Sequence, residues 1–486
     1  MTDSNRTRLA VCRETSLGVT PENPVMRAAR HAGETLQFQP TFITSDEIRS
    51  DRMSADPIKV NETNQGAVNI RLSYPVDESP LSLFFESLMF QAWTNTPFRD
   101  NAGTADSAIT AVTAEDGVFT VVAGAAFTAG HLVKTSGFAN AGNNGLFVLK
   151  TGSATVPAVG DDLLTDEAAP PENARIKVVG FQGAAGDIQA AADAITSTAL
   201  DLSALGIVPG QWIKVGGFGA AYRFATAAVN AYARVIGVAA HKLTLDNLPM
   251  GWAVDNGAGK TIRVFFGDHV KNGVDRRSLT IERGFLAQAV PSYIIQRGMV
   301  VAQGELTWTT EEMITGSVTF NGLTGELTTV PLDASPLPAT TAPIMSANVN
   351  VGRIAESGVA VAGPNYVKSA SVTVNNNLRM ISAVGHVGAV DIGVGECAVT
   401  GTLETYFGDK ALAEKLLDGT VGNINLRSQK DGQAVIVSLP RVTFTEGSPS
   451  AGAKNQDVML PLNYQASMDS LTNAHVLIDR LEYVEN

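Results

Sequence analysis

Hydrophobic and polar positions alternate with a period of two along much of this chain, and one of the clearest runs lies near its end. From Gly395 to Asp418 (GECAVTGTLETYFGDKALAEKLLD) the pattern opens as a strand through Cys397 and Val399 and continues past Thr402, Leu403 and Tyr406. It then changes to helical spacing, predicting a short amphipathic helix with Leu412, Leu416 and Leu417 on one side. Two further alternating runs follow, GQAVIVSLPRVTF and DVMLPLNYQASM, separated by a Gly/Ser/Ala-rich loop from Glu446 to Gln456. The predicted unit is strand, helix, long hairpin.

The same order of parts occurs earlier. Leu36, Phe38, Pro40 and Phe42 alternate in ETLQFQPTFITSDEIRS, and an offset of 330 positions places Phe42 over Val372, Ile48 over Leu378 and Arg49 over Arg379. GAVNIRLSY with the helical run LSLFFESLMFQAW (Leu81, Phe84 and Leu88 on one face) answers GECAVTGTL with ALAEKLLD; RRSLTIERGF and GELTWTTEEMITGSVTFNG answer the late hairpin. A duplicated fold follows, against the competing reading that any two strand-rich segments can be aligned.

A second repeat lies between the halves. FTAGHLVKTSGF (127–138) and IVPGQWIKVGGF (207–218) align at an offset of 80, matching Gly130 to Gly210, Lys134 to Lys214, Gly137 to Gly217 and Phe138 to Phe218. ARIKVVG (174–180) answers TIRVFFG (261–267). Two small β-barrels or sandwiches are expected at about 112–185 and 196–268, with Leu132/Trp212 and Val133/Ile213 alternating between core and surface. The Ala-rich run 189–195 between the copies reads as a short helix or a flexible connection. The division expected is 1–100 for the first part of the first fold, 101–270 for the twin insertion, 271–330 for the second part of the first fold, 331–354 for a linker and 355–486 for the second fold. The insertion must leave and return at nearby points and is expected to project outward. Residues 1–34 read as a polar arm, either lying against a neighbour or loosely packed. Ile48–Val60 reads as a charged loop, NTPFRDNAGTADSA (95–108) as a linker, Leu323–Ile354 as an extended Pro/Thr-rich bridge, and HVLIDRLEYVE as a final strand or short helix.

Composition narrows the class. With 486 residues, 44% hydrophobic positions and 46 glycines, the chain can bury several cores and reads as folded and turn-rich. A formal charge of −13 argues against a surface that grips nucleic acid, which needs clustered Lys and Arg. Cys12 and Cys397 fit no metal or redox spacing and read as reduced, buried thiols. The first residues lack the apolar core of a signal peptide, and no run approaches the ~20 apolar residues of a membrane span, so no membrane contact and a cytoplasmic origin are expected.

Candidate chemistry is sparse. GAGKT (257–261) has Val254 where a phosphate-binding loop needs its leading glycine, and IRVFFG after it reads as a strand, so a hairpin turn is expected. Histidines 31, 131, 241, 269, 386 and 475 are scattered without zinc-site spacing. No Gly-x-Ser-x-Gly elbow occurs. The acid pairs Glu311-Glu312 and Asp161-Asp162 read as solvated charge, and Asp268-His269 beside Lys271 as an exposed loop. Neither an enzyme nor a cofactor site is expected.

The opening RETSLGVTPENPVMRAAR, the turn ITSDEIRSDR, the step TGTLETYFGD and the closing LPRVTF…LPLNYQA together resemble the tail tube (major tail) proteins of long-tailed bacteriophages, in particular the class with two tube folds per chain. The resemblance covers roughly 1–100 and 270–486. It implies a mainly β fold, a duplicated tail-tube fold carrying the inserted domains, and a structural subunit of the virion tail assembled in the host cytoplasm. It further implies homotrimeric rings (alternatively homohexameric) stacked into a tube, with tape-measure, terminator and tail-tip proteins as partners and double-stranded DNA passing through unbound. A negative wall would suit such a conduit by repelling the duplex. Ring-stacking candidates are Glu446, Ser448, Lys454 and Gln456 in the late hairpin loop, Gln288 and Tyr293 in its counterpart at Ala287–Gly304, and Arg49, Asp51 and Arg52 beside the first strands. The alternative is an adhesin whose inserted domains stack sugars on Trp212, Tyr222, Tyr232 and Trp252.

Overall fold

A computed structural model describes residues 3–102, 108–160, 163–356, 358–361 and 363–483; Asp161 and Asp162 lie outside them. The alternating runs form antiparallel strands, and these fall into two sets that pair in the same order. In the first set the order is Thr7–Arg13, Leu279–Phe285, Ser292–Thr309, Thr315–Gly322, Ile58–Arg71, Gln37–Ile43. In the second it is Val351–Glu356, Gly422–Lys430, Gln433–Gly447, Val458–Ala466, Ala398–Tyr406, Val367–Asn375.

The third strand of each set is long and serves two sheets. Ser292–Thr309 pairs through its first half with Leu279–Phe285 and through its second with Thr315–Gly322. Gln433–Gly447 divides likewise between Gly422–Lys430 and Val458–Ala466. Both carry a bulge at the matching place, Val301/Gln303 and Phe444/Glu446. Registers also match: Gly66 lies opposite Phe320 as Gly401 lies opposite Tyr464. Val372 pairs with Gly401, and Leu36 lies against Gly66, so Leu36 rather than Phe42 corresponds to Val372. The offset of 330 is therefore slipped by six residues. Periodicity of two leaves such a slip undetected in sequence, because every even shift keeps the same face inward.

Each set has a helix after its first hairpin. Pro80–Met89 is capped by Ser79, whose side chain accepts from the Ser82 N–H, and ends at Phe90 in the left-handed region. All its residues but Leu81 are buried, so no single apolar face exists: Phe84, Phe85 and Leu88 enter the main core, while Glu86 bonds Arg13 at 2.8 Å. In Ala411–Leu417, Leu412 is buried but Leu417 is 83% exposed, because a step of five residues turns it off the Leu412 face.

The predicted polar arm is instead a strand. Thr7–Arg13 buries Leu9, Ala10, Val11 and Cys12 beside Leu279–Phe285. The bridge is extended but tightly laid: Thr324–Thr328 is a strand on Ser292–Thr309, Leu337 exchanges backbone bonds with Met26 and Ala28, and Met345 is fully buried. Its last residues belong to strand Val351–Glu356.

The insertion departs and returns at one point, where Thr94 and His269 bridge. Its repeats do not close into barrels. They join into one open sheet in the order Gly145–Val148, His131–Ser136, Arg175–Gln182, then Arg263–Phe265, Trp212–Val215, Tyr232–Ala239, the second copy running in mirror order to the first. The related strands meet at the centre, where the Phe266 N–H donates to the Val179 carbonyl at 3.1 Å. Gly130 and Gly210 share positive φ (89° and 98°), but the positive-φ partner of Gly137 is Gly216, not Gly217. The Ala-rich run is neither helix nor linker: Gln189–Ala190 pairs with Ala194–Thr196 in a tight hairpin.

Leu132, Val133, Trp212 and Ile213 are all buried, contrary to the expected alternation, because the sheet is covered on both faces. Val133 and Ile213 enter the insertion's own core; Leu132 and Trp212 pack on Ala434, Ile436, Leu481 and Tyr483. Val435 and Val437, which alternate with these, face the main core. The layers therefore run insertion sheet, sheet containing 433–438 and 477–482, main core, then the sheet shared by the two sets.

Candidate assembly surfaces

The two sets are joined by a sheet edge. Val367–Asn375 of the second adds to the second half of Ser292–Thr309 of the first, antiparallel, from Gln303↔Asn375 to Thr309↔Ser369. The result is a continuous eight-stranded sheet: Gln37–Ile43, Ile58–Arg71, Thr315–Gly322, Ser292–Thr309, Val367–Asn375, Ala398–Tyr406, Val458–Ala466, Gln433–Gly447. Side chains reinforce the joint. Trp308 Nε1 donates to Ser428 Oγ at 3.0 Å, and Asn376 Nδ2 donates to the carbonyls of Leu88 and Val301 at 2.9 and 3.0 Å.

The same two edges stand open at the ends of this sheet. By matching bulge and register, the counterpart of Gln303–Thr309 is Glu446–Gly452, and that of Ser369–Asn375 is Gly33–Gln39. Among the described residues neither has a strand on its outer side. Both edges are blunted: Pro449 has no N–H to offer, and the Leu36 N–H is held by Glu34 Oε2 at 2.7 Å.

The predicted stacking residues distribute unevenly. Arg49, Asp51 and Arg52 sit at the tip of the hairpin between Gln37–Ile43 and Ile58–Arg71, with Arg49 paired to Asp51 at 2.6 Å and holding its carboxyl below the usual range. Around them Phe42, Ile43, Ile48, Met53 and Ile58 are exposed. The equivalent hairpin of the second set, Arg379–Ser382 with Ala389–Gly393, exposes Met380, Ile381, Val384 and Val387, a pairing of apolar tips that sequence reading missed. Glu446, Ser448, Lys454 and Gln456 are exposed; Glu446 accepts from Asn463 at 3.1 Å, and Gln456 accepts from the Ala453 N–H at 3.0 Å. Gln288 is exposed, but Tyr293 is buried under Arg8 within the strand Ser292–Thr309, so Ala287–Gly304 is no long loop. By pairing order the counterpart of the late hairpin loop is the short turn at 310–314.

A buried charge cluster ties the insertion to both sets. Arg480, Lys177, Asp77 and Asp268 have side chains at most 5% exposed. Lys177 Nζ donates to Asp268 Oδ2 at 2.6 Å and to Asp77 Oδ2 at 2.8 Å; Arg480 Nε donates to Asp268 Oδ2 at 2.9 Å, and its Nη2 to Asp77. Arg175 completes the cluster on Asp77. Burial opposes ionisation of Asp77, but Arg480, Lys177 and Arg175 outweigh it and hold the carboxyl well below its ordinary range. Nearby, burial pushes Asp479 well above that range, against the Trp212 N–H and Arg234. His269, driven to about 4 by burial and then by Lys271, is neutral in the folded chain. The expected exposed loop at Asp268-His269 is thus a buried structural strand, paired with Leu477–Glu482.

No catalytic arrangement accompanies these groups among the described residues, and none there could form a group of metal ligands. Gly257–Lys260 is a turn, closed by the Lys260 N–H on the Gly257 carbonyl at 2.9 Å. Glu311 and Glu312 are exposed. Cys12 is buried and Cys397 half-buried, with burial raising their thiols to about 12 and about 11. The aromatic residues of the adhesin reading form no platform: Trp212 and Tyr232 are core, Trp252 donates to the Ala191 carbonyl, and Tyr222 is covered by Arg263. Among the described residues no helix is long and apolar enough to cross a membrane.

No curated protein matches the sequence. The family described as phage tail tube protein matches it over residues 4–466, in keeping with a mainly β chain. The chain belongs to the phage tail tube protein family, a structural component of the virion tail.

Proposed function

We propose that this tail tube subunit closes into rings of three copies, each supplying two tube folds, and that the rings stack into the channel for DNA ejection. The observation that carries the reading is the junction already made within one chain, where Val367–Asn375 extends the sheet of Ser292–Thr309. Repeating that junction between chains pairs Gly33–Gln39 of one copy with Glu446–Gly452 of the next, in the register Gln37↔Ser448. Each pairing occupies both open edges, so the contact is head-to-tail and a ring leaves none unpaired.

Dimensions support three copies. Eight strands per chain give 24 in the ring; at ~4.8 Å spacing the sheet closes at a diameter of about 37 Å untilted, or about 48 Å at a ~40° tilt. Either leaves room for a DNA duplex after side chains are allowed for. Blunted edges disfavour pairing before a template orders them. The apolar hairpin tips around Ile48 and Val384, with the loop bearing Lys454, supply contacts between rings. Tape-measure, terminator and tail-tip proteins would set length and ends. Electron microscopy of the purified chain should show rings or hollow tubes of threefold or pseudo-sixfold symmetry. A monomer that persists at every concentration and salt would overturn the proposal.

A further inference from the structure

We infer that the bore of the tube is a nearly uncharged surface of hydroxyl and amide side chains, not the acidic wall that the net charge suggests; this rests on the ring reading above. In the eight-stranded sheet, one face alternates into the main core through Val68, Val318, Leu306, Val372, Leu403 and Leu462. The residues between them face solvent, and along the central strands they are Ser, Thr, Asn and Gln: Ser317, Thr307, Ser371, Thr402, Asn463 and their neighbours.

This bare face must be the inner one. The core, the second sheet and the insertion sheet all lie on its other side, stacked in that order. Sheets pack about 10 Å apart, so turning the ring inside out would put three insertion sheets at a radius about 20 Å smaller, close to the axis. No space exists there for them.

The charges on this face nearly cancel. Among the described residues of its strands, Glu305, Glu404 and Glu446 are its acids and Arg71, Lys368 and Arg441 its bases, with Lys368 3.7 Å from Glu404. Against a chain total of −13, the acidic excess therefore lies elsewhere. A duplex in such a bore meets no clustered cation that would release counterions and hold it, and little repulsion either. Its phosphates would slide past groups already bonded to water or to one another, as Ser371 Oγ is to Thr402 Oγ1 at 2.9 Å.

Two variants in assembled tubes test this. Thr402→Cys should react with a bulky polymer-linked maleimide as free subunit and lose that labelling in tubes, while Met250→Cys on the insertion is labelled in both. Undiminished labelling of Thr402→Cys in well-formed tubes overturns the inference but leaves the tube reading intact; absence of tubes from the native chain overturns both. Native tubes should retain no nuclease-protected DNA at any salt. Thr402→Lys tubes should retain it with a log–log salt slope of about −0.9 per phosphate contacted. Protected DNA with a steep salt slope in native tubes would also sink the inference.

Discussion

Replacing Arg480 by methionine should loosen the insertion without unfolding the rest. Arg480 is 1% exposed and donates to Asp268, Asp77, Ser82, Asn95 and the Pro75 carbonyl, groups from the first set and the insertion's root. Methionine keeps much of the apolar stem but leaves Asp77 and Asp268 sharing Lys177 and Arg175. Removing one partner of a buried ion cluster costs about 3–5 kcal/mol, and the two remaining cations place this case near the lower figure. At 1.4 kcal/mol per tenfold, about 3 kcal/mol is roughly a hundredfold increase in local opening. Hydrogen exchange reads it directly at the Thr96 amide, which donates to Asp268 Oδ1 at 2.6 Å, with the amide of Val372 in the shared sheet as control. Asp268→Asn with Arg480→Met should cost much less than the sum of the single changes, since the lost partners are each other's. An acceleration below about fivefold at Thr96, or an equal one at Val372, would show that the cluster does not hold the insertion.

Two further outcomes are expected. Gln37→Cys with Ser448→Cys should form a disulfide between chains under mild oxidation, giving a closed covalent trimer on a denaturing gel, while either change alone should not; dimers that never extend would refute the register. His269 contributes stability that is full above its unfolded pKa of 6.5 and lost as pH falls towards its folded value of about 4, worth about 3 kcal/mol by linkage. Thermal melts between pH 7 and 4 should therefore be flatter for His269→Gln, whereas loss from Asp77, whose pKa is lowered, begins only below 3.8.

Sequence alone determined what local spacing encodes. Alternation at 395–406 and 432–466 and the change to helical spacing after Tyr406 depend on neighbours a few residues away, and the repeat at an offset of 80 on likeness between two stretches of sequence, so all survive without coordinates. Which strand meets which does not. The slip from Leu36 to Phe42 passed unseen because an even shift preserves every inward face, and only the pairing through Gly66 and Gly401 fixed it. The arm that proved to be strand Thr7–Arg13, the barrels that proved to be one open sheet, and Trp212 buried on its second face all follow from partners far along the chain. The open edges at Gly33–Gln39 and Glu446–Gly452 belong to the same class. An edge is defined by the neighbour it lacks, and only tertiary structure says which strands have already found theirs.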